Sequence, residues 1–137
     1  MGSIVFGNII TSIEIKIILV IKPNQKSKVK GWGYEIWIVN SEKYCGKILH
    51  INEGKKCSWH YHKLKTETFF VRSGRIEVTY SEDDSIINAK KVILLAGDSF
   101  EVMVGIRHQM KALEETELFE FSTQHFDSDS YRIELGD

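Results

Sequence analysis

The sequence predicts an all-β protein, folded as an antiparallel sandwich or barrel in a single domain. Short runs of apolar and β-branched residues recur at close intervals along the chain. Turn-forming Gly, Asp, Asn and Ser residues separate many of these runs, and no repeat or convincing amphipathic helix interrupts them. The length of 137 residues suits one domain with its own hydrophobic core.

Residues 1–30 are predicted to form an N-terminal extension or edge strand, followed by a barrel with a C-terminal tail over residues 31–137. Residues 4–21 are rich in Ile and Val but are too short and too charged to form a membrane-spanning helix. Within them, residues 13–17 alternate like a half-buried strand. An edge strand or a loosely ordered extension is favoured, and a strand swapped onto a partner subunit is the alternative. The polar, lysine-rich residues 24–30 are interpreted as a linker.

The barrel itself is predicted to consist of short strands joined by tight turns. These strands cover residues 34–39, 45–51, 58–62, 68–72, 76–80, 92–95, 99–104, 108–113 and 118–122. Residues 124–137 are polar with a few apolar side chains. We expect this tail to wrap back onto the barrel or to form a short helix.

The composition indicates an ordinary soluble protein, with 42% hydrophobic and 27% charged residues. The formal net charge of -1, without a basic stripe, argues against a nucleic-acid partner. Neither nucleic acid nor membrane is therefore expected as a partner. Two cysteines, Cys45 and Cys57, do not make a disulfide framework and predict free thiols in a reducing compartment, the cytoplasm.

Three histidines and one glutamate are spaced as ligands of a divalent metal. His60 and His62 lie two residues apart, so their side chains leave the same face of a strand. Glu67 follows a short turn, and a rolled-up sheet could bring His108 alongside from a distant strand. Neutral imidazoles and one carboxylate suit Zn, Mn, Fe, Ni or Cu and leave coordination positions open for water or substrate. A closed structural zinc site would more typically use thiolates.

Glycines lie before and after the first three candidate ligands, and two more glycines precede the fourth. The first stretch contains, in sequence, Gly54, His60, His62, Glu67 and Gly74, and the second contains Gly97, Gly105 and His108. The two stretches resemble the two motifs of the cupin superfamily, with Met103 at a usual proline and Ala112 at a usual asparagine. The resemblance covers residues 32–123. It implies a double-stranded β-helix, or jelly-roll, barrel that holds a metal inside through His60, His62, Glu67 and His108.

The flanking segments resemble those of type II mannose-6-phosphate isomerase domains. Residues 31–35 are similar to the entry of those domains, and residues 120–124 with residues 127–132 are similar to their end. The resemblance implies isomerisation of an aldose or ketose phosphate, with a metal that polarises the sugar carbonyl. Cupins also include iron-dependent dioxygenases and non-catalytic carbohydrate-binding domains, which remain the alternatives.

Side chains for the remaining roles are predicted less directly. The candidate bases are His50, Glu77 and a metal-bound hydroxide. The candidate substrate contacts are Lys47, Arg107 and Arg132 for a phosphate, and Tyr61, which flanks the ligands. His125 in the tail is expected to be a surface histidine. The expected partners are a small-molecule substrate and a second copy of the chain in a homodimer, since cupins commonly pair.

Overall fold

A computed structural model of the protein describes residues 27–137. The expectations for residues 1–26 lie outside these described residues. A short 3-10 helix covers Asp127–Asp129 near the end of the chain. The strands are β1 (Ser27–Lys30), β2 (Gly33–Asn40), β3 (Cys45–Ile51), β4 (Trp59–Tyr61), β5 (Glu67–Ser73), β6 (Arg75–Ser81), β7 (Lys90–Leu95), β8 (Ser99–Val102), β9 (Arg107–Ala112), β10 (Thr116–Ser122) and β11 (Tyr131–Glu134).

These strands form two antiparallel sheets. One sheet has the order β1-β2-β3-β10-β5-β8, and the other has the order β11-β4-β9-β6-β7. Strands far apart in sequence are neighbours in both sheets, such as β3 with β10 and β4 with β9. The chain therefore winds between the sheets, and the predicted double-stranded β-helix fold is confirmed. No helix among residues 27–137 is long and apolar enough to cross a membrane.

The hydrophobic core lies between the two sheets, because alternate residues of each strand point inward. Ile51 of β3, Val71 of β5, Ile76 of β6 and Leu118 of β10 are all fully buried. Other core residues, including Phe69, also line a cavity beside the core. The core thus supports one side of the cavity directly.

One segment near the N-terminal end differs from the sequence prediction, and the C-terminal tail agrees with it. Residues 27–30, predicted as a linker, form β1 and pair with β2 at the edge of the sheet. An edge strand tolerates lysines because its side chains reach solvent, so the polar composition concealed this strand. The C-terminal tail wraps back onto the barrel as one alternative predicted, and β11 pairs with β4.

Gly74 makes the tight turn between β5 and β6. Its φ angle is +91°, and a Cβ atom there would lie 2.3 Å from the carbonyl oxygen of Glu115. A side chain would therefore be strained in backbone and would clash with the neighbouring segment. This close approach explains the glycine that follows the candidate ligands in the sequence.

Candidate metal centre

The four predicted ligands gather at one point inside the barrel. One ligand atom from each of His60, His62, Glu67 and His108 lies within 4.8 Å of the others. His60 of β4 pairs directly with His108 of β9, which brings the two parts of the chain together. His62, Glu67 and His108 are buried, and His60 is partly exposed. The chain thus builds a compact group of three imidazoles and one carboxylate.

Backbone carbonyls fix the orientation of all three imidazole rings. The Nδ1 atoms of His60, His62 and His108 lie 3.0 Å, 2.8 Å and 3.0 Å from the carbonyl oxygens of Ser58, Asp129 and Ile106, respectively. Since a carbonyl oxygen only accepts, each Nδ1 is assigned the proton. Each Nε2 atom then carries a lone pair, as a metal ligand requires.

The inner atoms of this group fit a cation. The Nε2 atoms of His62 and His108 and the Oε1 atom of Glu67 are buried without a hydrogen-bond partner. Oε1 lies 3.3 Å from Nε2 of His62 and 2.8 Å from Nε2 of His108, where lone pairs face one another. Such orphaned acceptors are costly unless a positive ion lies between them. The residues present therefore fit a divalent metal held by three Nε2 atoms and one carboxylate oxygen.

The pKa directions of His60 and Glu67 agree with this role. Burial, followed by repulsion from His108 and His62, holds the pKa of His60 well below its ordinary value. Burial alone would raise the pKa of Glu67, but the charge of Lys65 beside Oε2 opposes it. The net result is a pKa of Glu67 well below its ordinary value. Neutral imidazoles and an ionised carboxylate are the forms that bind metal.

Asp129 organises the turn that carries the ligands from β4 to β5. Its carboxylate accepts hydrogen bonds from the backbone N–H groups of Lys63, Leu64 and Lys65 at 2.9 to 3.2 Å. Burial would raise the pKa of Asp129, but these three donors outweigh it and lower the pKa. Because its backbone carbonyl also accepts from His62, Asp129 holds both the turn and one ligand.

A buried charged cluster borders the ligands. Nζ of Lys65 lies 2.6 Å from Oε2 of Glu67 and 3.2 Å from Oε2 of Glu120. Nζ of Lys47 lies 3.7 Å from the same Glu120 oxygen. Burial would lower the pKa of Lys65, but Glu120 and Glu67 outweigh it and raise the pKa. Lys65 therefore stays charged although only 3% of its side chain is exposed.

His125 lines the cavity beside the hydrophobic core and does not lie on the surface as predicted. Its Nδ1 is 3.2 Å from Nζ of Lys47, and its Nε2 is 3.1 Å from a carboxylate oxygen of Asp127. Burial, followed by the charges of Lys47 and Lys65, lowers the pKa of His125 to about 4. The ring is thus neutral at pH 7, accepting from Lys47 through Nδ1 and donating to Asp127 through Nε2.

The cavity has a volume of about 560 Å³, and His60 and His62 are part of its wall. This volume lies within the range of about 300–1,000 Å³ that is usual for small-molecule sites. Its lining contains the cations Lys28, Lys30, Lys47, Lys65 and Arg132 and the anions Glu35, Glu120, Asp127 and Asp137. When the adjacent Glu67 is included, five negatively charged side chains balance the five positively charged ones. A divalent ion would therefore leave the cavity positive and suited to an anion.

The two protein side chains predicted as bases lie outside this cavity lining. His50 lies on the outer face of the sheet, where it contacts the carboxylate of Glu115 and stacks on Tyr34. Glu77 bonds with Lys91 at 3.0 Å on the outer face of β6. The period-two alternation of a strand explains both positions, since Leu49 and Ile76 beside them point into the core. This corrects the expectation that either side chain reaches the substrate.

The four predicted substrate contacts separate into two pairs. Lys47 and Arg132 line the cavity, as a role in anion binding requires. Tyr61 and Arg107 do not line it. The guanidinium of Arg107 lies 3.9 Å from the centre of the Tyr61 ring and bonds with Asp84 at 2.8 Å. Because His60 and His62 point inward, Tyr61 between them must point outward, which corrects this pair of expectations.

Sequence reasoning missed Lys65, Glu120 and Asp129 as members of the site. The spacing of β10 could have identified Glu120, because it lies two residues after Leu118 and therefore on the same face of the strand. Thr116, Leu118 and Glu120 are all buried in the structure. An inward carboxylate in a barrel strand is unusual enough to single out. No comparable pattern marks Asp129, which reaches its partners from the tail.

Comparisons with known proteins agree with this geometry. The sequence profile of the family described as "Cupin domain" matches residues 47–121, more than half of the chain. The chain belongs to the cupin family. A comparison with curated proteins finds no match. The similarity to type II mannose-6-phosphate isomerase domains is not shown by these comparisons.

Solved structures with the same fold are distant in sequence. The capsular polysaccharide assembling protein CapF from Staphylococcus aureus is 19% identical, with a TM-score of 0.69 over 80% of this chain and 34% of its own. An oxalate decarboxylase variant from Bacillus subtilis is 18% identical, with a TM-score of 0.70 over 80% of this chain and 30% of its own. KdgF from Halomonas sp. is 17% identical, with a TM-score of 0.65 over 79% of this chain and 95% of its own. The chain thus spans about a third of CapF and of oxalate decarboxylase.

Proposed function

We propose that this cupin is a metal-dependent enzyme that isomerises a small anionic sugar, such as an aldose or ketose phosphate. The observation that carries the proposal is the convergence of orphaned Nε2 and Oε1 atoms beside a cavity whose wall bears buried lysines. A divalent metal bound by His60, His62, Glu67 and His108 would polarise a substrate oxygen. The name of CapF, a polysaccharide-assembling protein of similar fold, supports a carbohydrate as the substrate class.

The cavity walls supply the other requirements of such a reaction. Nζ of Lys47 hydrogen-bonds to His125 and lies 3.7 Å from Oε2 of Glu120, and the cavity that Lys47 lines would bring a substrate anion close to its positive charge. Arg132 adds a forked donor on β11 that suits a carboxylate or phosphate group. Glu120 replaces His50 and Glu77 as the candidate proton acceptor, because its carboxylate lines the cavity and shares Lys65 with Glu67.

An exchange experiment tests this function. Protein purified without chelator and loaded separately with Zn, Mn, Fe(II) or Ni is incubated with a panel of sugar phosphates in D2O and followed by proton NMR. We expect metal-dependent loss of the proton beside the carbonyl, together with the isomeric product, and no reaction after treatment with EDTA. No exchange with any loaded form would contradict the proposal. Turnover that requires both Fe(II) and oxygen would indicate a dioxygenase, and binding without conversion would indicate a carbohydrate-binding protein.

Lys47 is expected to determine affinity for the anionic group. Replacing Lys47 by Met should raise KM for a phosphorylated substrate at least about tenfold, since a charge-assisted hydrogen bond contributes about 1.5–3 kcal/mol. Replacing Arg107 by Met provides the matched control, because its guanidinium lies on the outer face beside Tyr61. Steady-state kinetics of both variants check the assignment. An equal rise in KM for Arg107→Met would contradict it.

We further propose that the chain forms a homodimer through the outer face of the larger sheet. Ile36, Ile48, Phe119 and Phe70 are directly paired across β2, β3, β10 and β5 and form one apolar row. Next to this row, Phe121 is 57% exposed. Contiguous apolar patches mark interaction surfaces, and a two-fold axis lets the same patch on two subunits pack against itself.

The buried free thiols Cys45 and Cys57 support a reducing location such as the cytoplasm.

Sedimentation velocity tests this assembly. The wild-type chain should sediment as a dimer, and Phe119→Lys should sediment as a monomer because it places a charge within the apolar row. Ile93→Lys, at an exposed position on β7 of the other sheet, is the matched control and should remain dimeric. A wild-type monomer at high concentration would rule out the homodimer.

A further inference from the structure

Lys65 is a buried lysine whose ammonium group contacts a candidate metal ligand directly. Its Nζ lies 2.6 Å from Oε2 of Glu67, and both side chains are almost completely buried. The other carboxylate oxygen, Oε1, faces the imidazoles of His62 and His108. The two oxygens of Glu67 thus have separate environments. Oε1 is directed at the metal position, and Oε2 is engaged by a charged donor.

The position of Lys65 is fixed from two directions. Its backbone N–H donates to the carboxylate of Asp129 at 3.0 Å, which holds the turn before β5. Its ammonium group also donates to Oε2 of Glu120 at 3.2 Å. Glu120 lies on β10 in register with Lys47 of β3, so it is held within the sheet itself. Lys65 is therefore anchored at its backbone and at its charged end.

We propose that Lys65 is a positioning residue that makes Glu67 bind metal through one oxygen only. A free carboxylate can coordinate through both oxygens, but a charge-assisted hydrogen bond at 2.6 Å keeps Oε2 away from the metal. One further coordination position then remains open for substrate. The same contact draws negative charge from the carboxylate, so the metal would be a stronger Lewis acid. This inference rests on the metal site of the proposed function.

The number of water molecules on bound Mn(II) tests this role without measuring activity. Four protein ligand atoms in an octahedral site leave two positions for water, and coordination through both oxygens of Glu67 would leave one. For Lys65→Met we therefore expect the water-proton relaxivity of the Mn(II) protein to fall by about half, an estimate from octahedral coordination. Lys65→Arg, which restores a donor to Oε2, should return the relaxivity towards the wild-type value. Lys63→Met is the matched control, because Lys63 lies in the same turn with its ammonium over the Tyr131 ring.

Unchanged relaxivity in Lys65→Met, or an equal fall in Lys63→Met, would overturn the inference. If Lys65→Met does not fold, the double variant Lys65→Met/Glu120→Gln removes one positive and one negative charge together and permits the same measurement. Failure of the wild-type protein to bind Mn(II), Zn or Fe(II) would instead overturn the proposed function. The two failures are therefore distinguishable.

Discussion

His108→Gln protein purified without chelator is expected to retain less than about a tenth of the wild-type metal content. His108 supplies one of four ligand atoms, and even residues that merely orient ligands contribute about 10–100-fold to metal affinity. Glutamine has an amide where the imidazole Nε2 would be, and it fills most of the buried space. Elemental analysis and competition with a chromophoric chelator would measure the loss, while circular dichroism would confirm that the barrel is folded.

His50→Gln is the control for this experiment. His50 also lies on a barrel strand, but its ring is on the outer face and contacts Glu115. Its metal content should equal that of the wild type. Full occupancy in His108→Gln, or an equal loss in both variants, would contradict the ligand assignment.

Glu120→Gln is expected to lower the free energy of unfolding of the metal-free protein by about 3 kcal/mol. Breaking a buried ion pair by removing one partner typically costs about 3–5 kcal/mol, because the remaining charge is left uncompensated. Here the Lys47 ammonium would lose its carboxylate partner, and the Lys65 ammonium would keep only Glu67. Each of these lysine side chains is only 3% exposed. Urea unfolding monitored by tryptophan fluorescence would measure the change.

Glu117→Gln provides a matched control on the same strand. Glu117 pairs with Arg72 at 3.2 Å, but that arginine side chain is 60% exposed and water screens the pair. Removing such a surface pair should cost less than about 1 kcal/mol. Equal destabilisation by the two substitutions would show that the buried cluster does not stabilise the barrel in the way described.

The sequence was sufficient to predict which four side chains gather at the site. His60 and His62 share a face because a strand alternates with a period of two, and this relation depends on local backbone geometry alone. The pairing of His60 with His108 came from the resemblance to the cupin motifs, because no local rule connects β4 with β9. The expectation that Tyr61 contacts the substrate was wrong, although the same alternation determines that its side chain points outward.

The environment of the ligands could not be predicted in the same way. Asp129 lies more than sixty positions after the turn it organises, as its hydrogen bonds with Lys63 and Lys65 show. Only the path of the C-terminal tail brings these groups together. The polar sequence around His125 gives no sign that this side chain is buried beside two lysines. Burial, followed by the charges of Lys47 and Lys65, lowers its pKa to about 4. Such positions depend on long-range packing rather than on periodicity.

Anomalous diffraction at a metal absorption edge tests the central claim most directly. Crystals of wild-type protein purified without chelator should show one strong anomalous peak, about 2.0–2.2 Å from the Nε2 atoms of His60, His62 and His108 and from Oε1 of Glu67. The energy of the edge would also identify the metal. A peak elsewhere in the barrel, or no peak among these four side chains in crystals soaked with Zn, Mn and Fe(II), would contradict the account.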